Sequence, residues 1–137
     1  RGIGKAIALR LAGMGYQTFL TYVSKPELAE EVCTEINANG GQAKSFALDI
    51  GDWDQVVNFF KEKIKGQVFL EVLVNNAGMT QDGLLIRMNK EQWEKVIQVN
   101  LTGSFVCLQQ AAKIMIKQRY GRIINITSVT GQAGNPG

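Results

Sequence analysis

Residues 68–78 read VFLEVLVNNAG, a near-continuous apolar run that stops at Asn75. A strand covered on both faces, as in a parallel sheet flanked by helices, has this composition rather than a strict alternation of apolar and polar positions. The sequence on either side repeats the theme. Gln17 to Tyr22 and residues 43–48 predict two earlier strands, and GRIINITS, beginning at Gly121, predicts a later one. Helical patterns fill the intervals. From Gly2 to Met14, Ile3, Ile7 and Leu11 recur every four positions, the stripe of a helix packed on a sheet, and Gly15 ends it. Pro26 stands at the first position of a second helix that closes on Gly40, and Asp52 is placed to N-cap a third. A long helical stretch runs from about Lys90 to Gln118, bent near Asn100 to Gly103. Strands near residues 17, 43, 70 and 122 thus alternate with helices at the repeat length of right-handed crossovers.

The fold class this predicts is α/β, a Rossmann-like doubly wound parallel sheet with helices on both faces. Its usual strand order, 3-2-1-4-5-6, puts the first strand at the centre. Here a helix begins at residue 1, so the first strand is lacking, and GNPG closes the sequence in a loop. The expectation is that residues 1–137 make a single, incomplete domain of a longer polypeptide.

Composition narrows the chemistry. At 137 residues with 45% hydrophobic and 20% charged content, the chain has globular make-up. A net charge of +3, spread without aromatic interleaving, speaks against nucleic acid as a partner. No apolar run approaches the roughly 20 residues that cross a bilayer, so a protein without membrane contact, in the cytoplasm, is expected. The complete absence of histidine removes Ser-His and Cys-His nucleophile pairs and the commonest zinc ligand, and no metal is expected. Cys33 and Cys107, far apart and without CxxC spacing, read as reduced packing residues.

The opening RGIG suggests a ligand. Glycines at a turn into a helix let the backbone approach a pyrophosphate, whose charge then meets the unsatisfied N–H groups of the helix start. Gly2 and Gly4 suit that task, with Ile3 between them, although a tight turn with close helix packing explains a lone G-x-G equally well. The α/β alternation favours the dinucleotide. At the end of the second strand an acid would bond the ribose 2′-hydroxyl and repel a 2′-phosphate, but TYVSK, from Thr21 to Lys25, contains none. Tyr22 takes that place, and Arg1 and Lys25 make the surroundings cationic. NADPH is therefore expected over NADH, with Lys25 also readable as a solvated surface lysine.

RGIG, LDI with Asp49, LVNNAG, VNLTG with Asn100 and GRIINITSVTG with Ser128 together resemble, in order and spacing, the short-chain dehydrogenase/reductase family over residues 1–137. The resemblance implies that Asp49 bonds the adenine amino group, Ile50 packs on the ring, and Asn76, Ala77 and Gly78 line the cofactor ribose. Asn75 reads instead as a structural amide that ties adjacent strands. Ser128 would hydrogen-bond a substrate ketone and Asn100 would hold a water in a proton relay. Loop serine and helix-kink roles are the plain alternatives for these two.

NAGMTQDGLLIRM and SVTGQAGNPG are most similar to family members that reduce 3-oxoacyl thioesters on acyl carrier protein in fatty acid synthesis. The alternatives are an acetoacetyl-CoA reductase or another short-chain reductase and, in a different class, a nucleotide-binding domain without catalysis. The family's acid is a tyrosine followed four residues later by lysine, and neither Tyr16, Tyr22 nor Tyr120 has that neighbour. The chain by itself is expected to be inactive. Within Lys90 to Gln118, Trp93, Ile97, Leu101, Phe105 and Leu108 form an apolar stripe read mostly as core, any outward remainder fitting the homotetramer the family forms. Leu84, Leu85 and Met88 border a substrate entrance or serve as packing residues.

Overall fold

Two pairs of parallel strands carry the fold in the computed structural model, which describes residues 2–134. The first pair belongs to a compact unit ending at Asp49, the second to a unit beginning at Ile50.

In the first unit α1 (Gly2–Gly13) turns at Gly15 into β1 (Gln17–Tyr22), and α2 (Pro26–Ala38) leads to β2 (Gln42–Ala47). The strands pair in register from Gln17↔Gln42 to Tyr22↔Ala47. A core of Ala8, Val32, Cys33, Ile36 and Ala43 gathers beneath Leu9, Ala12 and Leu20. The inward face of α1 is therefore the small-residue row Ala8–Ala12. Of the Ile3–Ile7–Leu11 stripe, Ile7 and Leu11 are half-buried and Ile3 is 62% exposed. Alanines let a helix approach its neighbours closely, and α1 uses them against α2. At the start of α2, Pro26 occupies the first turn as expected, while Lys25 before it adopts a left-handed backbone (φ 61°) with no side-chain cap.

The second unit starts with α3 (Trp53–Phe59), capped by Asp52, whose carboxylate accepts from the Gln55 backbone N–H at 3.0 Å. A π-helical turn, Phe60–Ile64, continues it. Next come β3 (Val72–Asn75), a 3₁₀ turn at Leu85–Arg87 and α4 (Lys90–Ile97), which opens on an Asn89–Gln92 capping box. A second π-helical segment, Gln98–Gly103, joins α4 to α5 (Ser104–Gln118) at the expected bend. The chain then forms β4 (Arg122–Asn125) and the short α6 (Thr130–Ala133). β4 pairs in parallel with β3 from Val72↔Arg122 to Asn75↔Asn125.

The apolar stripe of α4–α5 is divided: Ile97 and Leu108 are half-buried, and the other three members turn outward. Trp93 is 58% exposed, Leu101 64% and Phe105 50%, whereas Gly103, Val106, Cys107, Ala111 and Met115 are buried. Two rows of i, i+4 spacing run along this stretch about half a turn apart. The row of small residues packs inside because it permits the closest approach, and the large one is turned out. Leu84, Leu85 and Ile86 are likewise exposed, so Leu84 and Leu85 are not packing residues within this unit.

Both thiols are free and buried, as their spacing implied. Burial raises the Cys107 thiol to about 11 and also raises Cys33.

Candidate active site

Parallel pairing places the carboxyl ends of both strands of a pair on one edge, where ligands bind in open α/β sheets. In the first unit this edge carries Tyr22, half-buried, and the segment after Ala47, with the Leu48 N–H bonded to the Tyr22 carbonyl at 2.8 Å. Asp49 follows directly and is half-buried. Lys25 stands exposed three residues beyond Tyr22, and no acid lies between them. Gly2 opens α1 with φ 59°, a left-handed conformation, and a Cβ added there would meet nothing within 4 Å. Residues other than glycine rarely take that conformation. Ile3 is exposed and Gly4 half-buried. Arg1 lies outside the described residues.

In the second unit the same edge is fixed by an amide tie. Asn75 Nδ2 donates to Asn125 Oδ1 at 2.9 Å and to the Ser104 carbonyl at 3.4 Å, the strand-joining role expected of it. Immediately beyond leave the half-buried Asn76 and the exposed Ala77 and Gly78 from β3, and Ser128 from β4. Ile50 is buried, and its backbone lies against Gly103.

Asn100 reaches this edge from the π-helical segment. Its Oδ1 accepts from the Met79 N–H at 2.9 Å, and its Nδ2 donates to the Met79 carbonyl at 2.8 Å. One carboxamide thus holds both backbone polar groups of Met79, the residue after Gly78. Helix insertions of this kind are frequent at functional sites, because the widened turn frees polar groups for tertiary bonds. The Ser128 hydroxyl lies 2.7 Å from Thr130 Oγ1 and accepts from the Thr130 N–H at 3.2 Å. The local serine turn weighed as its plain alternative is present.

Two residues join the site that sequence reasoning did not single out. Gln98 Nε2 donates to the Gly51 carbonyl at 2.7 Å. Gly103 sits so close to Ile50 that an added Cβ would lie 2.5 Å from its carbonyl oxygen. A glycine within an otherwise helical run was the one available signal for the second; nothing local marks the first. Among the described residues no group of histidine, cysteine or carboxylate side chains could hold a metal, and no helix is long and apolar enough to cross a membrane.

Comparison with known proteins is consistent with this geometry. Residues 1–137 match the family model described as short chain dehydrogenase. A 3-oxoacyl-[acyl-carrier-protein] reductase of Synechocystis sp. is 47% identical over 137 residues, which is 100% of this chain and 56% of that protein. A 3-oxoacyl-[acyl-carrier-protein] reductase FabG of Staphylococcus aureus is 46% identical with the same coverage. The chain therefore spans about half the length of the curated relatives it matches. Among solved structures, a metagenomic short-chain oxidoreductase in complex with NADP superposes with a TM-score of 0.90 at 38% identity, covering 100% of this chain and 61% of that one.

Proposed function

The chain belongs to the short-chain dehydrogenase family, and from that premise we propose that the full-length protein is an NADPH-dependent reductase acting in fatty acid synthesis. It converts the 3-oxo group of an acyl thioester on acyl carrier protein to the 3-hydroxy group, with residues 1–137 forming part of one NADP-binding domain. The observation that carries the reading is the Asn75↔Asn125 register, which brings the Asn76–Gly78 loop and Ser128 out of one sheet edge side by side. Relatives named for this reaction, 46–47% identical, support the substrate class.

NADPH, when bound, supplies the hydride. The chain's own groups bind and orient. The backbone N–H groups at Gly2, Ile3 and Gly4 would hold the pyrophosphate, and the left-handed conformation at Gly2 suits such a turn. On this reading Arg1, Tyr22 and Lys25 would hold the 2′-phosphate, Asp49 and Ile50 the adenine, and Asn76, Ala77 and Gly78 the ribose. With the Thr130 hydroxyl as donor across the 2.7 Å contact, the Ser128 proton would be left for a ketone oxygen gaining negative charge. Asn100 fixes the loop through Met79 and keeps a second lone pair and a second N–H for the water of a proton relay. The outward row Trp93, Leu101 and Phe105 supports assembly as a homotetramer, and two unpaired buried thiols suit the cytoplasm.

The test is NADPH oxidation by the full-length protein with acetoacetyl-CoA and with a 3-oxoacyl carrier-protein thioester, side by side. Higher kcat/KM on the carrier thioester is expected. Preference for acetoacetyl-CoA would reassign the substrate, and binding without oxidation of either would leave only a nucleotide-binding domain. Arg1→Ala should lower the NADPH to NADH ratio of kcat/KM by about tenfold.

A further inference from the structure

The π-helical segment Gln98–Gly103 meets two loops at three places. Asn100 clamps Met79, Gln98 bonds the Gly51 carbonyl, and the bare Cα of Gly103 allows the Ile50 backbone to seat against it. The spacing between Gln98 and Asn100 is two residues of helix, so one short rigid element holds both the Ile50–Gly51 turn and the Gly78–Met79 loop.

We propose that Gln98 is a positioning residue for the cofactor: through the Gly51 carbonyl it fixes the turn that follows Asp49, and with it the adenine end of the pocket. The proposal rests on the NADPH-binding reading above. Gln98 is exposed and Gly51 half-buried, so the bond satisfies no fully buried group. What the 2.7 Å contact supplies is an anchor for the Gly51 carbonyl, which together with the Ile50 backbone seated on Gly103 holds the turn after Asp49. A turn held in its binding orientation beforehand lowers the ordering cost that a ligand must meet. The effect should appear in affinity for the adenosine half of the cofactor and leave the reacting end alone.

The experiment compares full-length wild type, Gln98→Met, which keeps length and volume but donates nothing, and Gln98→Lys, which restores a donor. Equilibrium dissociation constants are measured by fluorescence titration with NADPH and with adenosine 2′,5′-bisphosphate, alongside steady-state kinetics and thermal melts. For Gln98→Met both dissociation constants should rise by about fivefold, KM for NADPH should follow, and kcat should change less than about twofold. Gln98→Lys should return most of the affinity. A purely structural role would lower Tm and leave the affinity of the folded enzyme unmoved. Unchanged dissociation constants in Gln98→Met, or a Gln98→Lys variant as weak as Gln98→Met, would overturn the proposal alone. Wild type that binds neither ligand would overturn the NADPH reading and the proposal with it.

Discussion

Residues 2–49 and the residues from Ile50 onward are built from the same parts, a parallel strand pair with helices, yet they are held together differently. The first unit is a regular α–β–α–β run with an apolar cluster between α1, α2 and β2. Its amide clamp is local: Asn37 bonds the Ala43 N–H at 2.8 Å and carbonyl at 3.3 Å, six residues away. The second unit has two π-helical interruptions, and its amides reach across the sequence. Gln118 pairs with both backbone groups of Leu70, 48 residues back, Asn100 with Met79 over 21, and Asn75 with Asn125 over 50. The contrast teaches that side chains able to match a peptide group are used where irregular backbone must be held in place. Loops that receive ligands are such backbone.

The strongest way to sharpen this contrast is to add a methyl group on each side. Gly103→Ala would drive Cβ to 2.5 Å from the Ile50 carbonyl oxygen, a backbone atom that cannot swing away. Overpacking of that kind costs about 1–3 kcal/mol, and the upper part of the range is expected here. In α1, by contrast, a Cβ at Gly13 meets nothing within 4 Å, so Gly13→Ala should gain about 0.5 kcal/mol from reduced backbone freedom in the unfolded chain. Urea unfolding of the full-length variants measures both. Equal and small effects would mean that the π-helical segment yields as readily as a surface helix.

A smaller difference is expected from the amides. Gln118→Leu leaves the Leu70 N–H and carbonyl without their partner at a half-buried position, at a cost of about 1–2 kcal/mol. Asn37→Leu strips Ala43 in the same way, but its clamp spans only the turn between α2 and β2, whose packed ends stay in place. The expected cost is under half that of Gln118→Leu by the same denaturation measurement. An Asn37 variant as damaged as the Gln118 one would erase the distinction between local and long-range clamps.

These clamps also mark the limit of what the sequence discloses. The strand and helix alternation, the caps at Pro26 and Asp52, and the bend near Asn100 are visible because each has a local cause: apolar periodicity, a fixed φ, a short carboxylate, an amide in a helix. The Asn75 tie was legible too, since an amide at the end of a buried strand needs a partner. Gln98 and Gln118 were not, because a glutamine in an exposed helical turn looks solvated until the fold brings a distant peptide beside it. Trp93, Leu101 and Phe105 of the α4–α5 stripe turn outward for a related reason. Two apolar rows satisfy one helical period, and only packing distance chooses the row of Cys107 and Ala111 over that of Leu101 and Phe105.

The smallest expected effect separates the two units at their helix starts. α2 begins after Lys25 with no side-chain cap, whereas α3 begins under the Asp52 carboxylate, which accepts from the Gln55 N–H and from Gln55 Nε2 at 2.9 Å. The backbone and side-chain bonds from Gln55 hold the Asp52 carboxyl below its ordinary value of 3.8. A carboxylate with a depressed folded value stabilises the fold above the unfolded value, and that contribution is lost as pH falls through the folded one. Asp52→Asn keeps an oxygen that can accept from Gln55 but has no charge to titrate. The stability of wild type minus that of Asp52→Asn should therefore be level above about pH 5 and decline below pH 3.8. Because Asp52 is fully exposed, solvent and salt weaken the effect, which should shrink further as ionic strength is raised. A difference that grows on acidification would mean that the carboxylate is not the group holding the start of α3.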